Sequence, residues 1–187
     1  MYQILLRKFN IRPQEAGFTF LLILSAVFLG GFISTFDVVA HALFFEQWNQ
    51  SDFSLVYLFG GGGGILFFGI YSLLHKRLSY KFFHFLILTL ITLVVLIYLL
   101  SYMLQNTEAL AFAGLALMFP VNLLLLLSFW RYNRKLLLPE QTKRTFPLIE
   151  FGFFLGVVIA CLVMFLLLRY FNHQVLPPVA MFFLMGI

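Results

Sequence analysis

Asp37 and His41 stand four residues apart in a stretch otherwise free of charge. On a helix they lie one above the other on a single face, with Ser34 one turn before and Gly30 two turns before. A carboxylate beside an imidazole can relay a proton, because histidine titrates near neutral pH and a neighbouring charge tunes it. The same groups can instead act as polar glue, satisfying each other or a backbone partner, and His41 falls close to the end of its apolar run. Asn122 is the amide placed deepest in an apolar run, two residues after Pro120. Proline removes a backbone donor and kinks a helix, freeing a carbonyl that can line a cavity. A packing kink with Asn122 bonded to a neighbour is the alternative. Ionisable groups at depth are costly in hydrocarbon and by default mark ion or substrate paths.

Other residue types argue against different chemistry. His75, His84 and His173 are dispersed without metal-ligand spacing, and no nucleophile stands with its base, so neither a metal centre nor a hydrolase is expected. No cofactor is implied. The single Cys161 makes no intramolecular disulfide and reads as a buried structural thiol. Gly60, Gly61, Gly62, Gly63 and Gly64 form an unbroken run, but without the Lys-Ser/Thr of a phosphate-binding loop and between Leu58, Phe59, Ile65 and Leu66. That run reads as a close-packing surface, as do Gly152 and Gly156 at the small-xxx-small spacing. Either pair of helices could border a moving unit or simply pack statically. Glu150 stands near Lys143 and Arg144, placed either for an ion pair closing an inner gate or as an interfacial carboxylate wet by water.

The elements that carry these residues are set by composition. With 63% apolar residues, 10% charged and 26 Phe, the chain cannot cover a soluble globule with polar surface. Five runs reach the roughly 20 residues needed to cross about 30 Å of hydrocarbon: 16–45, 53–74, 82–104, 108–130 and 146–171. They are expected to be helical, since lipid satisfies no backbone hydrogen bond and the alternation of a barrel is absent. After the fifth, Pro177 and Pro178 open a further apolar stretch, 176–187, too short to cross. It reads as an incomplete sixth span, with a re-entrant hairpin as the alternative, and implies a longer polypeptide.

Every Lys and Arg except Arg169 falls in three clusters: Arg7, Lys8 and Arg12; Lys76, Arg77 and Lys81; and Arg131, Arg134, Lys135, Lys143 and Arg144. These occupy alternate gaps between spans, so the positive-inside rule puts the N-terminus and the second and fourth gaps in the cytoplasm. Glu46–Asp52, Gln105–Glu108 and Asn172–Pro178 then face outward. Trp48, Tyr98, Tyr102 and Tyr170 mark one interface, and Tyr71, Tyr80, Trp130 and Tyr132 the other. Residues 1–15 form a cytoplasmic segment in which Tyr2, Leu5, Leu6 and Phe9 suit a short interfacial helix, not a signal peptide. The formal charge of +5 follows from these inside loops facing anionic lipid, so no nucleic-acid partner is expected.

The basic segment Gly69-Ile-Tyr-Ser-Leu-Leu-His-Lys-Arg-Leu-Ser-Tyr-Lys81 resembles the loop between the second and third helices of major facilitator superfamily transporters, although its acidic position is unfilled. The chain is more similar to bacterial relatives of the ATP/ADP translocases. That resemblance rests on Phe36-Asp-Val-Val-Ala-His-Ala-Leu-Phe44, the Gly-rich second span, Phe119-Pro-Val-Asn-Leu-Leu-Leu-Leu-Leu-Ser-Phe-Trp130 and Lys143-Arg-Thr-Phe-Pro-Leu-Ile-Glu150. It implies an all-α polytopic protein of the inner membrane, the N-terminal six-helix half of a transporter. It also implies that the first and fourth helices, which carry the polar residues, line the central cavity. The function so implied is alternating-access, secondary-active transport of a small, anionic or nucleotide-like solute, with protons as a coupling ion and a C-terminal half as partner. A nucleotide would need buried cations, and none lies deep in these spans. The rival class is a non-transporting scaffold that anchors soluble domains or other subunits of an envelope complex.

Overall fold

The computed structural model describes residues 15–74, 77–103, 107–170 and 176–187. The expected interfacial helix within residues 1–15, the Lys76 position and the outward segment at Asn172–Gln174 fall outside or nearly outside these ranges. All regular structure among the described residues is helical: α1 Ala16–Gln47, a 3-10 turn Gln50–Asp52, α2 Phe53–Leu74, α3 Tyr80–Met103, α4 Thr107–Leu136, α5 Pro139–Tyr170 and α6 Leu176–Met185. Helices α1, α2, α4 and α5 are long and apolar enough to cross a membrane, and α3 adds an apolar stretch, Tyr80–Leu96. With ten residues, α6 is about 15 Å long, less than a crossing.

Helices α1 to α4 start within two residues of their apolar runs, but α5 starts ahead of its own, so that α4 and α5 fill the predicted basic loop and leave only Leu137 and Leu138 outside helix. Arg and Lys are good helix formers, so a charge cluster marks where apolar residues end without ending the helix. What stops α4 and starts α5 is local: Pro139 takes the first position, where its missing N–H costs nothing. The Gln141 side chain then accepts the Leu138 N–H at 3.0 Å, half of a capping box.

Large side chains are exposed along whole helix faces, among them Leu58 at 76%, Ile65 at 78% and Phe151 at 64%. Such continuous apolar surface belongs against lipid or protein.

Packing does not follow chain order. Helix α1 is the hub, contacting α4, α5 and α6; α4 contacts α1, α2 and α3; and α3 touches α6. Among these main contacts, α3–α4 alone joins consecutive helices. These contacts map onto themselves when α1, α2 and α3 are exchanged for α4, α5 and α6.

Glycine lies in the α1–α5 and α2–α4 contacts. On α5, a Cβ at Gly156 would fall on the Val27 carbonyl, and one at Gly152 would lie 2.8 Å from the Ile23 carbonyl oxygen; Gly30 of α1 meets the Phe153 carbonyl in return. On α2, a Cβ at Gly60 would lie 3.0 Å from the Ala116 oxygen and one at Gly64 would lie 2.9 Å from the Phe119 ring. Ala116 is the residue whose carbonyl loses its helical donor to Pro120. The Gly60 Cα–H therefore points at a freed acceptor, a weak hydrogen bond worth about 0.5–1 kcal/mol. The interval from Gly60 to Gly152 equals that from Gly64 to Gly156, and differs by one residue from that between the contacted Ile23 and Ala116.

Candidate functional site

Asp37 and Asn122 meet across the seam between the hub helices. Asn122 Nδ2 donates to Asp37 Oδ1 at 2.6 Å. Both residues are half-buried. On α1 the stripe Ile33, Asp37, His41 and Phe45, spaced four apart, is only partly covered, whereas Ser34, Thr35, Phe36, Val39 and Ala40 between them are buried. α4, α5 and α6 cover the rest of α1, so this stripe is the open face of the hub. Asn122 lies midway along α4, and its Oδ1 is buried without a hydrogen-bond partner among the described residues.

Asp37 and His41 share a face but do not pair through their side chains. The His41 Nδ1–H donates to the Asp37 main-chain carbonyl at 2.8 Å, which fixes a proton on Nδ1, because a carbonyl only accepts. Nε2 lies 3.3 Å from the hydroxyl of Tyr57 on α2. A hydroxyl both donates and accepts, so this contact fits either charge state of the ring. Tyr57 was not legible as a partner, since its place one turn into α2 carries no signal of proximity to α1. Around His41, Phe45 and Phe53 lie 6.4 and 6.0 Å away between ring centroids, and Phe44, Trp48 and Phe112 continue the aromatic cluster toward the ends of α1 and α4. Tyr57→Phe removes one exposed hydrogen bond and should lower thermal stability by no more than about 1 kcal/mol, as a melting curve would show.

Other expected site residues are placed elsewhere. Ser34 is buried and faces α5, its Oγ 3.2 Å from Cys161 Sγ, because a 60° offset from Asp37 turns it toward a different neighbour. Cys161 is exposed and not buried as expected. Pro120 is buried against α2, where a Cβ on Gly63 would lie 3.6 Å from its ring. Gly61 and Gly62 have nothing within 4 Å, which corrects the reading of the whole run as one packing surface: five successive helical residues cannot all share a face, and Gly60, Gly63 and Gly64 are the ones that face α4. Glu150 is exposed and makes no ion pair among the described residues, so the gate pairing with Lys143 or Arg144 is not formed. Arg144 instead reaches Glu15 at 3.8 Å, and Gln141 Nε2 donates to the other Glu15 oxygen at 3.0 Å, fastening the starts of α1 and α5.

A second polar group joins α2, α3 and α4. His84 Nδ1 lies 2.8 Å from Ser128 Oγ, and the ring stacks on Tyr132 at 4.5 Å. The Arg131 guanidinium sits 5.0 Å over the Phe83 ring, and the Tyr71 hydroxyl donates to the Leu127 carbonyl at 3.4 Å. Asn133, expected in a loop, is 1% exposed.

The described basic residues are segregated, all but Arg169 at one end, where Glu15 and Glu140 also lie. Arg77, Lys81, Arg131, Arg134, Lys135, Lys143 and Arg144 lie at the end formed by the starts of α1, α3 and α5 and the finishes of α2 and α4. Glu46, Asp52, Glu108 and Arg169 lie at the opposite end, where Trp48 Nε1 donates to the Glu108 carbonyl. Among the described residues no group of three His, Cys, Asp or Glu side chains could hold a metal. Comparison of the chain with protein-family models, with curated proteins and with solved structures finds no match.

Proposed function

We propose that this chain is one six-helix unit of a secondary-active, alternating-access transporter of the major facilitator kind, set in a bacterial inner membrane with its N-terminus in the cytoplasm. The observation that carries the reading is the Asp37–Asn122 pair on the open face of the two hub helices. A carboxylate cannot face acyl chains at that depth without a cost of about 2.5 kcal/mol or more, so water or a second protein unit covers it. A water-filled cleft between two such units is where a secondary transporter holds its solute and coupling ion.

The packing supports the same architecture. Exchange of α1–α3 with α4–α6 preserves the contacts, and the glycine pairs of α2 and α5 repeat at one interval. Three-helix repeats in opposite orientation are the building blocks of this transporter class. The segregated basic residues support the orientation through the positive-inside rule. The test of function is solute flux in proteoliposomes loaded with a pH dye, challenged in turn with nucleotides, other anions and amines. Flux for none of these, together with co-purifying subunits, would favour the scaffold reading, for which the uncovered Gly61, Gly62 and Gly69 face of α2 would be the docking surface.

Orientation has its own test. In a Cys161-free background, a cysteine at exposed Asn49 should react with an impermeant maleimide on intact cells, and one at exposed Lys135 only after lysis. The reverse pattern would invert the topology. Asn133 would be a poor probe, since burial would block labelling from either side.

A further inference from the structure

We propose that the open face at Asp37 and Asn122 recognises a protonated amine, a solute group that brings positive charge together with N–H donors. This rests on the transport reading only in calling the ligand a solute.

Charge decides first. Helices α1 and α2 contain no Lys or Arg, and α4 has none before Arg131. Arg131 lies nine residues beyond Asn122, about 13 Å along the helix, and is engaged over Phe83. An anion on this face would meet the Asp37 carboxylate with no Lys or Arg of these helices near it. A neutral solute would leave that carboxylate unpaired in a dehydrated cleft, whereas a cation compensates it.

Hydrogen bonding narrows the class. The seam holds more acceptors than donors: both Asp37 carboxylate oxygens and the buried Asn122 Oδ1, partnerless among the described residues, against the two N–H groups of the Asn122 amide, one of them already given to Asp37. Every nearby hydroxyl or ring donor is committed elsewhere. Ser34 is turned to Cys161, Thr35 Oγ1 donates to the Gly31 and Phe32 carbonyls, and His41 Nδ1–H donates to the Asp37 carbonyl. Turning the Asn122 amide over does not remove the surplus, because it would set two acceptor oxygens 2.6 Å apart. The missing donors must come with the ligand. An ammonium group supplies three, enough for Asp37 and Asn122 together, whereas a quaternary ammonium supplies none. Tyr57 against His41, one turn along, and Phe45 and Phe53 beyond it add ring faces of the kind that attract cations. A bare metal ion fits less well, since three side-chain oxygens fall short of the six or so that hard cations take.

The test is equilibrium binding to the purified full chain in detergent, with three probes that share a benzyl or phenyl body: benzylammonium, benzyltrimethylammonium and benzoate. Benzylammonium should bind saturably, the quaternary probe roughly tenfold more weakly or worse for want of donors, and benzoate not at all. Asp37→Asn, which preserves shape, and Asn122→Leu should each weaken benzylammonium roughly tenfold or more, with gel-filtration profiles unchanged. Equal binding of all three probes, or undiminished binding by Asp37→Asn, would overturn the proposal. So would a site that sodium chloride or protons fill and benzylammonium does not. Benzylammonium binding without flux would refute transport and leave the recognition standing. Asp37-dependent flux of an anion without benzylammonium binding would do the opposite.

Discussion

Replacing Asp37 by Asn should bring solute uptake in proteoliposomes down to the protein-free background while the protein remains folded. The amide has the shape of the carboxylate and can hydrogen-bond to Asn122 after one of the two amides turns over, so the seam between α1 and α4 keeps its contact. What disappears is the negative charge, and with it the capacity to hold a cation or carry a proton. The stability change should stay within about 1.5 kcal/mol, because one hydrogen bond is exchanged for another. His41→Ala should do less, since its ring serves the backbone of Asp37 and the hydroxyl of Tyr57. Normal uptake by Asp37→Asn would reduce the pair to structural glue between helices.

The largest effect on folding is expected at Gly156. A side chain there points at the Val27 carbonyl, and backbone on two long helices cannot yield as a flexible side chain would. Gly156→Leu must push α5 away from α1, losing the reciprocal contacts at Gly30 and Gly152. Overpacking of about 1–3 kcal/mol adds to the lost Cα–H···O contacts of about 0.5–1 kcal/mol each. Monodisperse yield after detergent extraction should collapse. Gly62→Leu is the control: with nothing within 4 Å, it should shift stability by less than about 0.5 kcal/mol. Equal yields from the two variants would refute the α1–α5 contact.

The spans were legible because a bilayer demands length and apolarity, and these two properties are written in composition alone. The finishes of α4 and starts of α5 were less so: Arg131–Lys135 reports the edge of the apolar run, while the helix continues until Pro139 and Gln141 reset it. Five successive glycines point in every direction round a helix, so the run announces close approach without choosing its side. Asp37 and Asn122 each stood out alone as expensive groups, yet nothing in their spacing joins them, because the contact spans 85 positions. Ser34 was grouped with Asp37 by helical periodicity, and a rotation of one residue type's arc was enough to give it to α5. Tyr57, Glu15 and Asn133 owe their partners or burial to tertiary packing, which local pattern does not encode.

The hub helix is made well before its partners. α1 leaves the ribosome before α2 and α3, neither of which is among its main contacts, and Asp37 waits 85 residues for Asn122. At about 5–20 residues per second, that is roughly 4–17 s of synthesis during which the carboxylate has no amide to meet. Membrane insertion of α1 therefore precedes the burial that makes it tolerable. The order of emergence leaves the insertion machinery, or the charge-free length of the helix itself, to hold α1 in place until α4 arrives. A chain stopped after α3 would present the quality-control proteases with a hub and nothing gathered round it.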